Sequence, residues 1–575
     1  MATKATEGAG SRRQATGSLV VMEGEGAPGR APDPSARASA VVAGGILLSR
    51  LSGLVRESLL RGVLGLGPAA DAFAAALRIP NLLQNLLGEG SLSAAFIPVY
   101  SRLLGEGRQE EAGRVAGAVA GLLTALAGGL ATVGILAARP LARLLAPGFE
   151  GARMELTVDL IRVTTAGVGL LVLAAWCLGV LNSHRRFFLS YVAPVLWNGA
   201  QVAVLAAAIL GDWEPANTAR SLAWGLVAGG LLQFGIQAIG VRRLRAGIRP
   251  SAAWRLPGVV EVIRRSGPAV LGRGVLQLSA YLDLVLASLL VTGAVAGLMS
   301  AQVLYVLPVS LFALSVAAAE LPEMSRHPDG AGVAQRGRTA MRRTSFFLVF
   351  SSVAYLVLGD LIIGALFGWG AFDSDDAIAV WLVLGAYALG LPALGASRIC
   401  QSVLYSRGDT TGPARIAALR MAVASGIGLA VMFPLDRLSI VNGSLVGWGH
   451  LFEGWGPLHR TIEQATSAPH LGAVGLAIGS AVAAWLESVL LTRRGRRTLH
   501  DLPAPVEVLA PLFPAALAAA LVAIAARPLV AGLPDLMAAP LGLMAAGGAY
   551  LLVSWRTGIE EAASAAGILR RLVGR

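Results

Sequence analysis

Apolar residues run along this chain in long blocks, separated by short stretches of arginine, glycine and proline. Fourteen blocks stand out, at roughly 38–60, 69–100, 112–138, 156–181, 187–211, 220–241, 259–292, 296–320, 338–367, 377–405, 411–434, 470–492, 505–527 and 535–555. Each is long enough for a helix to cross a hydrocarbon core of about 30 Å. Short alternating segments, the mark of a membrane β-barrel, are absent from the pattern. The pattern predicts an all-α, polytopic membrane protein with about 14 transmembrane helices. The second block is long: a 32-residue helix would reach ~48 Å. Pro80 and the Gly88-Glu89-Gly90 step give it places to bend.

Polar positions interrupt the first two blocks. Ser49 to Tyr100 is apolar enough for lipid yet carries Arg50, Arg56, Glu57, Asp71, Arg78, Asn81, Gln84, Asn85 and Glu89. A charge near the bilayer centre costs at least ~2.5–3.5 kcal/mol, so such residues face protein or a watery cavity. At 100° per residue, Ser49, Arg50, Gly53, Arg56 and Glu57 share an arc of roughly 120°. Snorkelling near a helix end is one reading of these arginines. A cavity lining that binds an anion is the favoured one, because the arginine fork suits phosphate and stays charged. Arg78, Asn81 and Asn85 fall on one face of the second helix, with Gln84 at its edge. Asp71 reads equally as cavity lining or as an end-of-helix charge. Farther along, Arg273 and Gln277 lie one turn apart, followed by Asp283 and Gln302.

Charge then orients the chain. The loop after the sixth block holds Arg242, Arg243, Arg245, Arg249, Arg255, Arg264 and Arg265, and the loops after blocks two, four, eight, ten and twelve are also arginine-bearing. Alternate loops are poorer, and the one after block nine carries Asp373, Asp375 and Asp376. Both termini are therefore expected in the cytoplasm. The net charge of +13 belongs to this bias rather than to a nucleic-acid surface. Charged residues make up only 14% and mean hydropathy is +0.67, against about 25% charge in soluble domains. Residues 1–37, Gly-, Ala-, Ser- and Pro-rich without a signal-type apolar stretch, read as a disordered cytoplasmic tail.

The blocks also repeat. Cys177-LGVLNS-His184 resembles Cys400-QSVLYS-Arg407 at an offset of 223, IPVYSR (97–102) resembles LPEMSR (321–326) at 224, and Ile79-Pro80 matches Leu307-Pro308 at 228. Six spans per repeat keeps the halves in one orientation, a parallel pseudo-twofold. The expected organisation is an N-lobe at 38–245, a C-lobe at 246–495 and a C-terminal helix pair within 496–575. An extracytoplasmic insert at 435–469 interrupts the C-lobe. In it Leu445, Trp448, Leu451, Phe452, Trp455 and Leu458 recur at helical spacing, favouring a short interfacial helix over an irregular loop.

Enzymatic chemistry finds little support. The six histidines show no HExxH or paired spacing, and no GxSxG or Walker motif is present. Cys177 and Cys400 form no CxxC and read as packing residues. Asp373, Asp375 and Asp376 read as a solvated run rather than a cation site. No metal or cofactor is expected.

SRLSGLVRE (49–57), DAFAAALRIPNLLQNLLGEGSLSAAFIPVYSRLL (71–104), VLNSHRRFFLSYVAPVLWN (180–198) and LYSRGDTTGPARIA (404–417) resemble the MurJ/MviN family of lipid II flippases, within the multidrug, oligosaccharidyl-lipid and polysaccharide exporter superfamily. PAVLGRGVLQLSAYLDLVLAS (268–288) and GAVGLAIGSAVAAWLESVLL (472–491) extend the match. The resemblance implies fourteen helices, two lobes and a cationic central cavity. It also implies alternating access that carries an undecaprenyl-pyrophosphate-linked peptidoglycan precursor across the bacterial inner membrane, driven by membrane potential or an ion gradient. Substrate-contacting arginines of the family map onto Arg50 and Arg56, a basic position onto Arg78, and acidic or amide positions onto Asp71, Asn81 and Glu89. The chain departs where Gln84 and Val303 occupy family arginine positions, and Arg273 is the candidate compensating cation. The expected function is a non-enzymatic lipid II flippase, acting as a monomer among membrane lipids and near other cell-wall synthesis proteins. A flippase for another polyprenyl-linked glycan is the alternative, and a polyprenyl-phosphate membrane enzyme is less favoured.

Overall fold

The computed structural model describes residues 34–90, 92–326, 331–451, 454–458, 468–497 and 499–563; the side chains of some helical residues, Glu89, Arg273 and Gln277 among them, fall outside the described set. Residues 1–33 of the expected tail also lie outside it, and residues 34–37 are helical, the start of α1 (Pro34–Leu64).

The second block is broken where its proline and glycines allow. It runs as α2 (Pro68–Ala76), α3 (Arg78–Leu83), π-helical turns at Gln84–Gly90 and Leu92–Phe96, and α4 (Ile97–Gly105). Gly88 leaves helical geometry at φ −84°, ψ −105°. Interruptions of this kind inside helices are frequent at functional sites. Next come α5 (Gln109–Leu136), the short α6 (Ala138–Leu145), α7 (Gly151–Ser183), α8 (Phe187–Gly211) and α9 (Pro215–Arg243). In this first group α7 packs on α5, α9 and α2, while α1 lies along α8.

The second group begins with α10 (Pro257–Ser288). It continues with α11 (Ala294–Pro308), a π turn at Val309–Leu314, α12 (Ser315–Arg326), α13 (Ala331–Phe367), α14 (Ser374–Ala388), α15 (Leu391–Ser406), α16 (Thr411–Leu435) and α17 (Gly472–Arg496). The helices α18 (Pro505–Val530) and α19 (Asp535–Arg556) pack on each other and on α13. Element boundaries repeat as the sequence does. α7 and the α14–α15 pair are offset by 223 at both ends (151 to 374, 183 to 406), and α8 and α16 by 224 (187 to 411, 211 to 435). The π turns begin 225 apart (84 to 309).

Ten described helices are long and apolar enough to cross a membrane, or eleven with α14 and α15, bent by 42°, taken as one span. The other three expected spans are α1, the broken α2–α4 segment and α10. α1 carries Arg50, Arg56, Glu57 and Arg61; of α10, only Leu278–Ser288 counts as apolar among the described side chains. These three segments bear most of the candidate site residues. The largest apolar core runs through both groups, joining Phe73, Leu160 and Leu205 to Leu284, Leu298 and Leu384. Cys177 and Cys400 are buried and unpaired.

The insert differs from expectation. Ser439–Val441 and Ser444–Val446 form an antiparallel hairpin, followed by a 3-10 turn at Trp448–His450, and Phe452 lies outside the described residues. Asn442-Gly443, with φ of 49° and 73°, supplies the left-handed turn that such hairpins need. This local signal outweighs the helical spacing of the apolar residues. Nor are the nearby aspartates simply solvated. Asp373 caps α14 by accepting from Asp376 N at 2.9 Å, Asp375 accepts from Asn442 N and Gly443 N at 2.8 Å each, and Asp376 is buried. This end of the bundle is the hairpin side; the end with the α9–α10 linker is the linker side.

Candidate functional site

The polar stripe of α1 is set against α8. Asn198 Nδ2 donates to the Ser49 carbonyl at 3.3 Å and to Ser52 Oγ at 2.9 Å. The Arg56 guanidinium lies 5.2 Å from the centre of the Trp197 ring, within cation–π range, and Nη2 donates to Glu57 Oε2 at 3.3 Å. Glu57 is held more closely by Arg61, whose Nε and Nη2 reach Oε1 at 3.1 and 2.7 Å. Arg61 is 2% exposed. Sequence reading passed over it, although four residues beyond Glu57 is ion-pair spacing on a helix. Arg56 Nε and Arg61 Nη1 are buried without an acceptor, and exposed Arg50 has no side-chain partner among the described residues.

Arg78 forms a separate centre between the helix groups. Its Nη2 donates to Gln302 Oε1 at 3.2 Å, and Gln302 Nε2 donates to the Tyr387 hydroxyl at 3.1 Å. Tyr281 donates to the Arg78 carbonyl at 2.7 Å, Asp283 lies in charge range of Arg78 and Arg420, and Arg78 Nε is buried and unpaired. Tyr387 stacks on Tyr305 at 4.7 Å. Beyond that stack is a cluster the sequence reading also missed: Glu487, buried, takes Gln401 Nε2 at 3.1 Å and lies 3.5 Å from Arg420 Nη1. Arg398 donates to Gln401 Oε1 at 3.1 Å. These charges fall inside the blocks at 377–405, 411–434 and 470–492, so the cost of burying charge in lipid could have flagged them. Among the described residues, no hydrogen bond or ion pair links the Arg56–Glu57–Arg61 group to Arg78.

The remaining expected residues divide. Asn81 is exposed and Gln84 half-buried, each without a protein partner for its amide among the described residues, and Val303 is half-buried on α11. Glu89 and Arg273 lie outside the described side chains. Asp71 is fully buried and engaged by protein. Its Oδ1 accepts from Ala296 N at 2.8 Å, and its Oδ2 from Gly293 N at 2.8 Å and Arg153 Nη1 at 3.2 Å. Asp71 thus caps the N-terminus of α11 from the other helix group, where exposed N–H groups and the helix dipole favour an anion. Arg153 also donates to Thr292 Oγ1 at 3.1 Å. Neighbouring bonds join the groups on the same hairpin side: Ala371 N to the Gly62 carbonyl at 2.7 Å, Trp369 Nε1 to Ser58 Oγ at 3.2 Å, and Ser58 to the Leu366 carbonyl. On the linker side, Arg102 Nη2 meets Glu261 Oε2 at 2.6 Å.

The structure therefore offers guanidinium donors without acceptors, split between α1 and the centre around Arg78, with an inter-group bond network beyond them. Such donors suit an oxyanion ligand. The family model described as lipid II flippase MurJ matches residues 61–463. A probable lipid II flippase MurJ from Rhizobium tropici is 32% identical over 454 residues, 75% of this chain and 85% of its own length. The lipid II flippase MurJ from Burkholderia cenocepacia is 31% identical over 66% of this chain and 75% of its own. In fold, the chain is similar to a lipid II flippase MurJ in an inward closed conformation, with a TM-score of 0.68 at 19% identity, over 93% of this chain and 100% of that one. An inward-facing multidrug resistance transporter of the MATE family is similar at a TM-score of 0.59 and 17% identity, over 81% and 98%.

Proposed function

Because the chain belongs to the lipid II flippase MurJ family, we propose that it carries lipid II from the inner to the outer leaflet of the bacterial cytoplasmic membrane by alternating access. The observation that carries this reading is that Arg56 Nε and Arg78 Nε are buried without an acceptor, with exposed Arg50 on the same stripe as Arg56. A buried donor without an acceptor costs about 1–3 kcal/mol, which the oxygens of a diphosphate would relieve. Arg50 and Arg56 take the diphosphate, with Ser49 beside them on the same stripe, and Arg78 takes it deeper. Asn81 and Gln84 keep amides for the neutral sugar and peptide groups. Asp71 is a bond between helix groups rather than a ligand contact. Arg398 and Arg420 bring positive charge into the second group, where Val303 stands at a family arginine position.

Arginine bias makes the linker side cytoplasmic. The headgroup enters there, while the Asp71 network holds the hairpin side together. Residues 38–245 and 246–495 then rock as two lobes, the Asp71 bonds part, and the headgroup is exposed outward with its polyprenyl tail still in lipid. Net movement requires that the cavity bind the diphosphate differently in the two states. The step makes and breaks no covalent bond, so no catalytic group is assigned. A monomer suffices for it.

Expression in cells depleted of their own lipid II flippase tests the reading. The intact chain restores growth, and Arg50→Ala or Arg56→Ala at equal membrane abundance does not. A well-expressed intact chain that fails to restore growth shifts the substrate to another polyprenyl-linked glycan, as Gln84 and Val303 would then indicate.

A further inference from the structure

The linker between the helix groups lies in a trough along α5. Gly113, Gly117 and Gly121 stand at successive four-residue steps on that helix, and a Cβ at any of them would collide with the backbone of Ala246, Arg249 or Ser251. Ser251 N donates to the Gly117 carbonyl at 3.1 Å, pinning the linker in place. Held there, the linker roofs a cavity of about 470 Å³ walled by α5, α7 and α9. This size is within the range of small-molecule sites, roughly 300–1,000 Å³. Ser49, Arg50, Arg56 and Arg78 take no part in it.

The cavity is amphipathic from rim to floor. Leu173, Phe234 and Ala238 give an apolar floor, and exposed Arg242, Arg245 and Arg249 stand at the rim with no ion-pair partner among the described residues. A second observation is independent of this charge. Trp176, 6% exposed, lines the cavity, and its indole N–H is buried with no acceptor. Phe234 and Arg242 are eight residues apart on α9, about 12 Å along the axis. That separates a charged level from an apolar one much as a phosphate is separated from the acyl chain below it.

We propose that this cavity binds one anionic phospholipid of the inner leaflet. Its phosphate lies among Arg242, Arg245 and Arg249, an ester carbonyl accepts from Trp176 Nε1, and an acyl chain covers Phe234. Basic pockets between helices on the cytoplasmic side have this chemistry. The assignment to the inner leaflet rests on the orientation given under the proposed function. The bound lipid touches both the linker and the first helix group, and so restrains the linker that the two lobes must share when they move.

Phosphatidylglycerol retained by the purified full chain, counted by native mass spectrometry, tests the proposal apart from any transport assay. The wild-type chain keeps one more phosphatidylglycerol than the R242Q/R245Q/R249Q variant, whose affinity falls roughly 100-fold at about fivefold per arginine. Ala238→Trp, which fills the floor and leaves the arginines, loses the same lipid. Melting temperatures in lipid-free detergent confirm that both variants are folded. Neither phosphatidylethanolamine nor excess inorganic phosphate displaces the lipid. Equal retention by all three chains overturns the proposal, and so does displacement by inorganic phosphate, which would mark a bare anion site.

Discussion

Arg78 on α3 and Gln302 on α11 are joined at 3.2 Å, so a cation from one helix group is tied to an amide of the other midway through the bundle. Two roles for Arg78 make different predictions. If it only linked the groups, Gln302→Ala would damage transport as much as Arg78→Ala. If it binds the diphosphate, Gln302→Ala frees its Nη2 and leaves transport largely intact. We expect the second pattern. Arg78→Ala should slow flipping in reconstituted vesicles roughly 10- to 100-fold, the value of one charged hydrogen bond of about 1.5–3 kcal/mol. Arg78→Lys should fall between, since lysine keeps the charge and loses the fork.

Asp71 answers three donors from α7 and the start of α11. Breaking a buried, hydrogen-bonded charge pair costs about 3–5 kcal/mol, because the remaining partner stays uncompensated. Asp71→Ala should therefore loosen the hairpin side. In a Thr292→Cys background, labelling by a membrane-impermeant maleimide from outside should accelerate with Asp71→Ala. Asp71→Asn, which keeps an acceptor and loses the charge, should accelerate it less. Unchanged labelling would mean that Asp71 does not hold this side.

Helix placement was legible in the chain because apolar blocks of spanning length have few alternatives in lipid. The second block's breaks were legible too, since Pro80 and Gly88 weaken a helix wherever they occur. Asp71 was ambiguous because its donors, Gly293 and Ala296, come from more than two hundred residues away and from backbone atoms that no side-chain pattern reports. Arg61 was legible, standing four residues beyond Glu57 at ion-pair spacing on one helix, whereas Glu487 and Arg420 lie on different helices and meet only after packing. At the insert two local codes competed. The spacing of Leu445, Trp448 and Leu451 suggested a helix, but Asn442-Gly443 between two short apolar runs specified a turn.

The pH dependence of stability should have a component from His184, which follows α7 on the linker side. The Tyr100 hydroxyl lies 3.0 Å from its Nε2, within hydrogen-bond distance. Burial, and then the Arg186 charge, hold the imidazole below its ordinary range. The unfolded chain therefore takes up a proton at higher pH than the folded one. The stability this group contributes is complete above about pH 6.5 and is lost as pH falls through the lower folded value. Thermal unfolding between about pH 7.5 and 5.5 should show this loss, and His184→Gln should flatten it.

Glu57 stands between Arg56 and Arg61, and the balance between them decides whether Arg56 is open to substrate. At present Arg61 takes Glu57 Oε1 through two bonds, and Arg56 makes a single longer one to Oε2. Removing Arg61 leaves a buried carboxylate whose nearest cation is Arg56. Arg61→Gln should therefore draw Arg56 into a full ion pair and reduce transport nearly as far as Arg56→Ala. Adding Glu57→Gln removes the carboxylate as well and should return Arg56 to the ligand, recovering most of the loss. The recovery should correspond to a coupling of about 1–3 kcal/mol in a double-mutant cycle on flipping rate. Melting temperatures of the four chains separate this effect from misfolding. If the double variant is no better than Arg61→Gln alone, Arg61 contacts the diphosphate itself, through the Nη1 that no protein atom satisfies.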